Sequence, residues 1–261
     1  MNIVKQEQYK TGFAFSGGGA RAFAHLGVVQ AFKEQGIMPD IISGVSGGAI
    51  VGALLADGYE PAELIEIFGK MTFKEFTGLV VPHLGLFNTK RLQALLKEYL
   101  RAQCFEDLKI PLIIIASDFD NGKAVAFFKG PLCETVAASC SLPVLFEPTL
   151  INGIHYVDGG LFKNFPVSAI RKEVKTLIGV NVNPASLQKT KKNIKGVVER
   201  CIYFAIAANM SEDDALCDIL IKPEKLGTYS IFDLKKAKEI YNIGYLAGKK
   251  SIKEYVKLPF S

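Results

Sequence analysis

The chain has 261 residues, 49% of them hydrophobic, and a formal net charge of +5. That length suits one large α/β unit with a well-buried sheet, and no apolar run reaches the roughly 18 residues needed to span a membrane. Residues 1–11 are polar and lack the apolar core of a secretory leader, so a cytoplasmic protein is expected.

The five cysteines, Cys104, Cys133, Cys140, Cys201 and Cys217, are odd in number and include no CxxC pair. Reduced, structural thiols fit this pattern better than a disulfide framework or a zinc site. The positive excess lies wholly in residues 186–261, which carry 14 basic and 9 acidic side chains. Its clusters, including Lys189/Lys191/Lys192/Lys195 and Lys235/Lys236/Lys238, read either as solvated helix surface or as a peripheral contact with anionic membrane. They lack interleaved aromatic platforms, which argues against nucleic acid.

In chain order, Phe13-Ala14-Phe15 reads as a buried strand running into Ser16-Gly17-Gly18-Gly19. A helix is expected over about 20–35, closed by Gly36. Ile41-Ile42 is a second short strand leading into Gly44-Val45-Ser46-Gly47-Gly48, with a helix over 49–56 behind it and another starting at Pro61. Residues 73–87 are apolar but broken by Gly78, Pro82 and Gly85, and read either as a flap over a greasy pocket or as an irregular core segment. Strands are expected at 113–117 and 124–128, joined by a turn containing Asn121-Gly122. Residues 154–157 form another, ending in Asp158-Gly159-Gly160, and 176–182 a nearly continuous apolar one. Helices over 194–209 and 233–255 flank a strand at 218–221. Short apolar strands alternating with helices predict a mostly parallel central sheet covered on both faces, with no linker or repeat dividing residues 1–261.

Three motifs carry chemistry. In Gly44-x-Ser46-x-Gly48 a serine sits between strand and helix, where a sharp turn exposes its hydroxyl beside a helix N-terminus and the glycines leave room for substrate. Asp158-Gly159-Gly160 sets a carboxylate at a strand end, where it can take the serine proton, although an ordinary Asp-Gly turn has the same letters. Gly17-Gly18-Gly19-Ala20-Arg21 offers backbone N–H groups before a helix, a nest for an oxyanion or a phosphate, with Arg21 as fixed charge or brace. Gly17-x-Gly19-x-x-Ala22 also loosely matches a dinucleotide fingerprint, with Asp40 near the place of a ribose-binding acid. A GxSxG turn directly after the next strand argues for acyl chemistry instead. The histidines are His25, His83 and His155, and none follows Asp158, so a triad in the Ser–Asp–His order of α/β-hydrolases is unsupported. A histidine-dependent esterase or thioesterase and a non-catalytic lipid-binding protein stand as alternatives.

The order of these motifs, together with Ala138-Ser139-Cys140-Ser141-Leu142-Pro143 ahead of Phe146 and Pro148, resembles the patatin-like phospholipase family over residues 13–166. The resemblance implies a three-layer α/β/α fold and a serine hydrolase of lipid acyl esters, of the phospholipase A or lysophospholipase type. It implies Ser46 as nucleophile, Asp158 as base, and the backbone amides of Gly17, Gly18 and Gly19 as oxyanion hole. Arg21, Gly44, Gly48, Gly159 and Gly160 are then supporting residues, and no metal, cofactor or catalytic histidine is expected. Ser16 stands where plant members carry an acidic residue, and Ala22 where many relatives carry glycine. Both departures weaken any transfer of substrate preference.

Overall fold

The computed structural model describes residues 8–72, 75, 78–79, 85–184 and 194–256. Its centre is an eight-stranded sheet. Strand β1 (Tyr9–Phe15) pairs in parallel with β2 (Ile41–Val45) on one side and with β9 (Val174–Val180) on the other. Beyond β9 lies β10 (Ile219–Ile221), and beyond β2 lies β5 (Leu112–Asp118), both again parallel. At β5 the sheet changes character. There β6 (Lys123–Phe127), β8 (Ile154–Asp158) and β7 (Thr149–Ile151) join antiparallel. Helical crossovers build the parallel half and hairpins the antiparallel half. A separate two-stranded ribbon pairs β3 (Gly78–Leu79) with β4 (Phe87–Asn88).

The burial pattern explains the layers. Side chains alternate along β1, so Phe13 and Phe15 enter one core and Ala14 enters the other. The larger core is covered by α1 (Phe23–Lys33), α2 (Gly47–Ala56), α3 (Pro61–Phe68), α4 (Lys90–Tyr99), α5 (Leu132–Ser139) and the long α9 (Ala237–Tyr255). On the opposite face Phe165, Val167, Ile170 and Met210 pack with Ala14, near α6 (Gly160–Lys163), α7 (Ile194–Ala207) and α8 (Ser211–Asp214). A smaller cluster of Ala116, Ala138, Ile151 and Tyr156 fills the antiparallel end.

Several boundaries differ from the sequence expectation. The first helix begins at Phe23, because residues Gly19–Ala22 wind as a 3-10 turn tied to a distant loop. It does close at Gly36, whose φ is 73°. The second strand runs on to Val45, and α2 starts at Gly47, directly behind the serine. The last helix starts at Ala237, after a 3-10 turn at Leu234–Lys236. Helices α4 and α5 and strand β7 are additions that the sequence reading did not name.

Of the 73–87 segment, Phe73, Phe76, Val80, Val81 and Leu84 lie outside the described residues, as do Lys189, Lys191, Lys192 and His83. The exit of that segment is fixed. Leu86 and Phe87 donate their N–H groups to the carbonyls of Val144 and Leu145 at 3.3 and 2.8 Å. In the basic C-terminal part, Lys236 pairs with Glu239 and Lys238 with Glu66. All five cysteines are free thiols. Among the described residues no helix is long and apolar enough to cross a membrane.

Candidate active site

Ser46 occupies the turn between β2 and α2 with φ 52° and ψ −122°, a strained conformation for a residue with a side chain. The geometry is held from three sides. Its N–H donates to Ser139 Oγ at 2.8 Å, and the Ser139 hydroxyl donates in turn to the Ile115 carbonyl of β5 at 2.7 Å. Gly44 and Gly48 face each other across the turn: a Cβ on Gly44 would lie 2.6 Å from the Gly48 carbonyl oxygen. One on Gly48 would lie 2.6 Å from the carbonyl oxygens of Phe15 and Ser16, so helix and strand cross only because both residues are glycine. The N-terminal end of α2, positive by its dipole, then points at the serine.

Asp158 reaches this serine from β8. The Ser46 hydroxyl lies beside its carboxyl, and Gly160 N–H donates to its Oδ1 at 2.8 Å. Burial pushes the carboxyl up from the usual 3.8 to about 6, while the neighbouring Ser46 hydroxyl and the Gly160 N–H hold it down. A carboxylate with that value is ionised at neutral pH and still basic enough to receive a proton. Its backbone is pinned as well. Asp158 N–H donates to the Ser141 carbonyl at 2.9 Å, and its own carbonyl accepts the Ser117 hydroxyl at 2.9 Å. Gly159 lies so close to the Ile115 carbonyl that a side chain there would collide with it.

The Gly-rich turn packs on this elbow. A Cβ on Gly17 would fall 3.3 Å from Ser46 Cβ, and one on Gly47 would fall 3.3 Å from the Gly19 nitrogen. Gly19 has φ 54° and lies against the Ile231 carbonyl, a place and a conformation that exclude a side chain. Arg21 acts as the brace of the two roles the sequence offered. Its Nε and Nη2 both donate to the Tyr229 carbonyl, at 2.9 and 2.7 Å, while Ala20 N–H donates to the Ile231 carbonyl at 2.8 Å. The oxyanion expectation needs a correction at Gly17, whose N–H is already donated to the Asn164 carbonyl at 3.0 Å. The amides of Gly18 and Gly19 have no protein acceptor among the described residues.

The histidines within the described residues stand apart from the serine. His25 is fully buried, donates from Nε2 to the Ser16 carbonyl at 2.9 Å, and is held down to about 4 by burial. His155 pairs with Asp120, and strand alternation sends it to the face opposite Asp158. Asp40, the acid of the dinucleotide alternative, accepts the Thr11 N–H at 2.8 Å.

The sequence reading gave no role to three participants. Ser139 and Cys140 come from the end of α5, and the Cys140 thiol lies close to Ser46. Burial first, and the Asp158 charge second, push that thiol well above its usual range. Asn164 closes the third gap, joining the aspartate turn to the Gly-rich turn through its carbonyl. The Ala138–Pro143 block was the available signal for Ser139 and Cys140. No local signal marks Asn164.

The fold is a mixed α/β sheet with helices on both faces, and at the end of β2 it carries a serine turn with the geometry of a hydrolase elbow. A family model described as patatin-like phospholipase matches residues 13–170, more than half of the chain, and the chain belongs to that family. The uncharacterized protein YqhO of Bacillus subtilis (strain 168) is 32% identical over 219 residues, which is 71% of this chain and 75% of that protein. An uncharacterized NTE family protein of Mycobacterium tuberculosis is 30% identical over 163 residues, covering 62% of this chain and 45% of that protein. Lysophospholipase NTE1 of Kluyveromyces lactis is 26% identical over 274 residues, covering 91% of this chain but only 19% of that longer protein. Among solved structures, VipD from Legionella pneumophila matches with a TM-score of 0.56 at 14% identity, covering 94% of this chain and 67% of that one. A chain of the ExoU–SpcU complex from Pseudomonas aeruginosa matches at 0.52 and 13%, covering 96% and 53%. At such identities the two structures show the fold alone. Family membership supports hydrolysis of lipid esters as the class of reaction.

Proposed function

We propose that residues 1–261 form one serine acyl hydrolase unit that cleaves fatty-acyl esters of lipids through Ser46 and Asp158. The observation that carries the reading is the meeting of Ser46, at the end of β2, with a buried carboxyl at the end of β8 that is poised near 6. As Ser46 Oγ attacks the ester carbonyl, its proton passes to Asp158. The carbonyl oxygen becomes an oxyanion facing the Gly18 and Gly19 amides, which have no protein acceptor among the described residues. Collapse expels the alcohol, which takes the proton from Asp158 and leaves an acyl group on Ser46. Asp158 then deprotonates a water that attacks the acyl ester, and the released proton returns to Ser46 with departure of the fatty acid. Metal and cofactor have no part in this sequence of steps.

The test is labelling by a fluorophosphonate probe with peptide mapping, on the wild type, Ser46→Ala and Asp158→Asn. Label on Ser46, absent from Ser46→Ala and strongly slowed in Asp158→Asn, is the expected result. A folded wild type that takes no label at Ser46 removes the nucleophile from the proposal.

A further inference from the structure

Asn183, just beyond β9, belongs to none of the motifs, yet it touches the peptide on which an oxyanion hole depends. It is 7% exposed. Its Nδ2 donates to the Gly17 carbonyl at 2.6 Å and lies 3.4 Å from Ser16 Oγ. The Ser16 oxygen also accepts Val182 N–H at 3.0 Å, which ties the two strand ends together. Behind Asn183 stands a second amide: Asn183 N–H donates to Asn181 Oδ1 at 3.0 Å, and Asn181 Nδ2 donates to Asp214 Oδ1 at 2.9 Å. The Gly17 carbonyl can only accept, so the Asn183 NH₂ must face the Gly-rich turn, on a backbone that the Asn181 and Asp214 bonds hold in place.

The consequence follows from peptide planarity. The Gly17 carbonyl and the Gly18 N–H belong to one trans unit and point in opposite directions. Drawing the carbonyl onto Asn183 turns the Gly18 N–H the other way, where it meets no protein acceptor among the described residues. Glycine on both sides of this peptide leaves it without a side chain to resist rotation. Rotation would replace a donor by a carbonyl oxygen at the place where negative charge develops, the most damaging change an oxyanion hole can suffer.

We propose that Asn183 is a positioning residue for acyl transfer, holding the Gly17 carbonyl so that the Gly18 N–H stays available to the oxyanion. This rests on the reading of Ser46 as nucleophile. The test measures hydrolysis of p-nitrophenyl butyrate and fluorophosphonate labelling in wild type, Ser46→Ala, Asn183→Leu and Asn183→Asp, each checked by thermal melting. Asn183→Asp keeps the shape of the side chain and replaces the donor by an acceptor. The expected result is a fall in kcat of about 10²-fold in both Asn183 variants, with KM changed less than about threefold and cooperative melting retained. Wild-type kcat in a folded Asn183→Asp overturns the proposal. So does a loss of folding in both variants, which assigns Asn183 a structural role. A wild type that neither hydrolyses the ester nor labels at Ser46 overturns the underlying reading and this inference with it, whereas an active wild type beside unimpaired variants sinks this inference alone.

Discussion

Val45 and Asp158 face consecutive residues on one edge of β5, Val45 opposite Ile115 and Asp158 opposite Ala116. The other edge of β5 is taken by β6, which pairs with Ile115 and Ala116 as well. Strands β2 and β8 therefore run towards each other along a single edge and meet end to end. The residue that follows Val45 is Ser46, and the residue it meets is the aspartate. The proposed dyad is the seam between the parallel and antiparallel halves of the sheet.

If Asp158 is the base, activity follows its ionisation. The expected kcat/KM profile on a soluble ester rises through about pH 6, the value to which burial pushes this carboxyl. Asp158→Asn should lose about 10²–10⁴-fold of the activity. A stopped assay from pH 4.5 to 8 reads both, and a wild-type profile flat across pH 6 would exclude Asp158 as the titrating base.

Two buried groups bend the stability curve in opposite directions. Folding holds His25 down to about 4, so as pH falls from 6.5 to 4 the unfolded chain binds a proton that the fold refuses, and stability drops by about 3 kcal/mol. Asp158 is raised to about 6, so the folded chain holds its proton longer. As pH rises from 3.8 to 6 the buried carboxyl is forced to ionise, at a similar loss of about 3 kcal/mol. Asp158→Asn removes the second effect alone. Urea unfolding should show the variant gaining about 3 kcal/mol on the wild type between pH 4 and 6.5, then no more.

Ser139 supports the elbow through two hydrogen bonds. Ser139→Ala leaves both the Ser46 N–H and the Ile115 carbonyl without their partner. A destabilisation of about 1–3 kcal/mol is expected, with a fall in kcat larger than any change in KM. Chemical denaturation and steady-state kinetics measure the two effects separately, and unchanged stability would show that the turn holds its shape unaided.

The Cys140 thiol sits beside Ser46, and burial and the Asp158 charge keep it protonated. Iodoacetamide attacks thiolate, so at pH 8 Cys140 should react at least about tenfold more slowly than the exposed Cys201. Peptide mass spectrometry after timed quenching distinguishes them. Faster labelling at Cys140 would mean an electropositive site, contrary to the carboxylate geometry.

The parallel half of the sheet was legible because its strands are unbroken apolar runs such as Phe13-Ala14-Phe15, and the motifs stood at their ends. The antiparallel end was harder. Strand β7 is three residues long, below any useful period, and α5 hides in Leu132–Ser139, where small and polar residues blur the helical pattern. The choice among the three glycine amides was unreadable in principle. It depends on the Asn164 carbonyl and the Asn183 amide, which the sheet brings to Gly17 from far along the chain. One signal was present and unused: Asn152-Gly153 between apolar residues, the usual mark of a tight hairpin.

That hairpin reaches further than its position suggests. Asn152 and Gly153, with φ 50° and 80°, form a two-residue turn joining β7 to β8, and such a turn fixes how the two strands count against each other. A side chain changes face with every step along a strand, so a slip of one position would send Asp158 through the sheet to the side where His155 now stands. Two solvent-facing residues thus fix how β7 braces the strand that carries the proposed base, and an inserted residue at this tip would disturb that bracing with every motif intact.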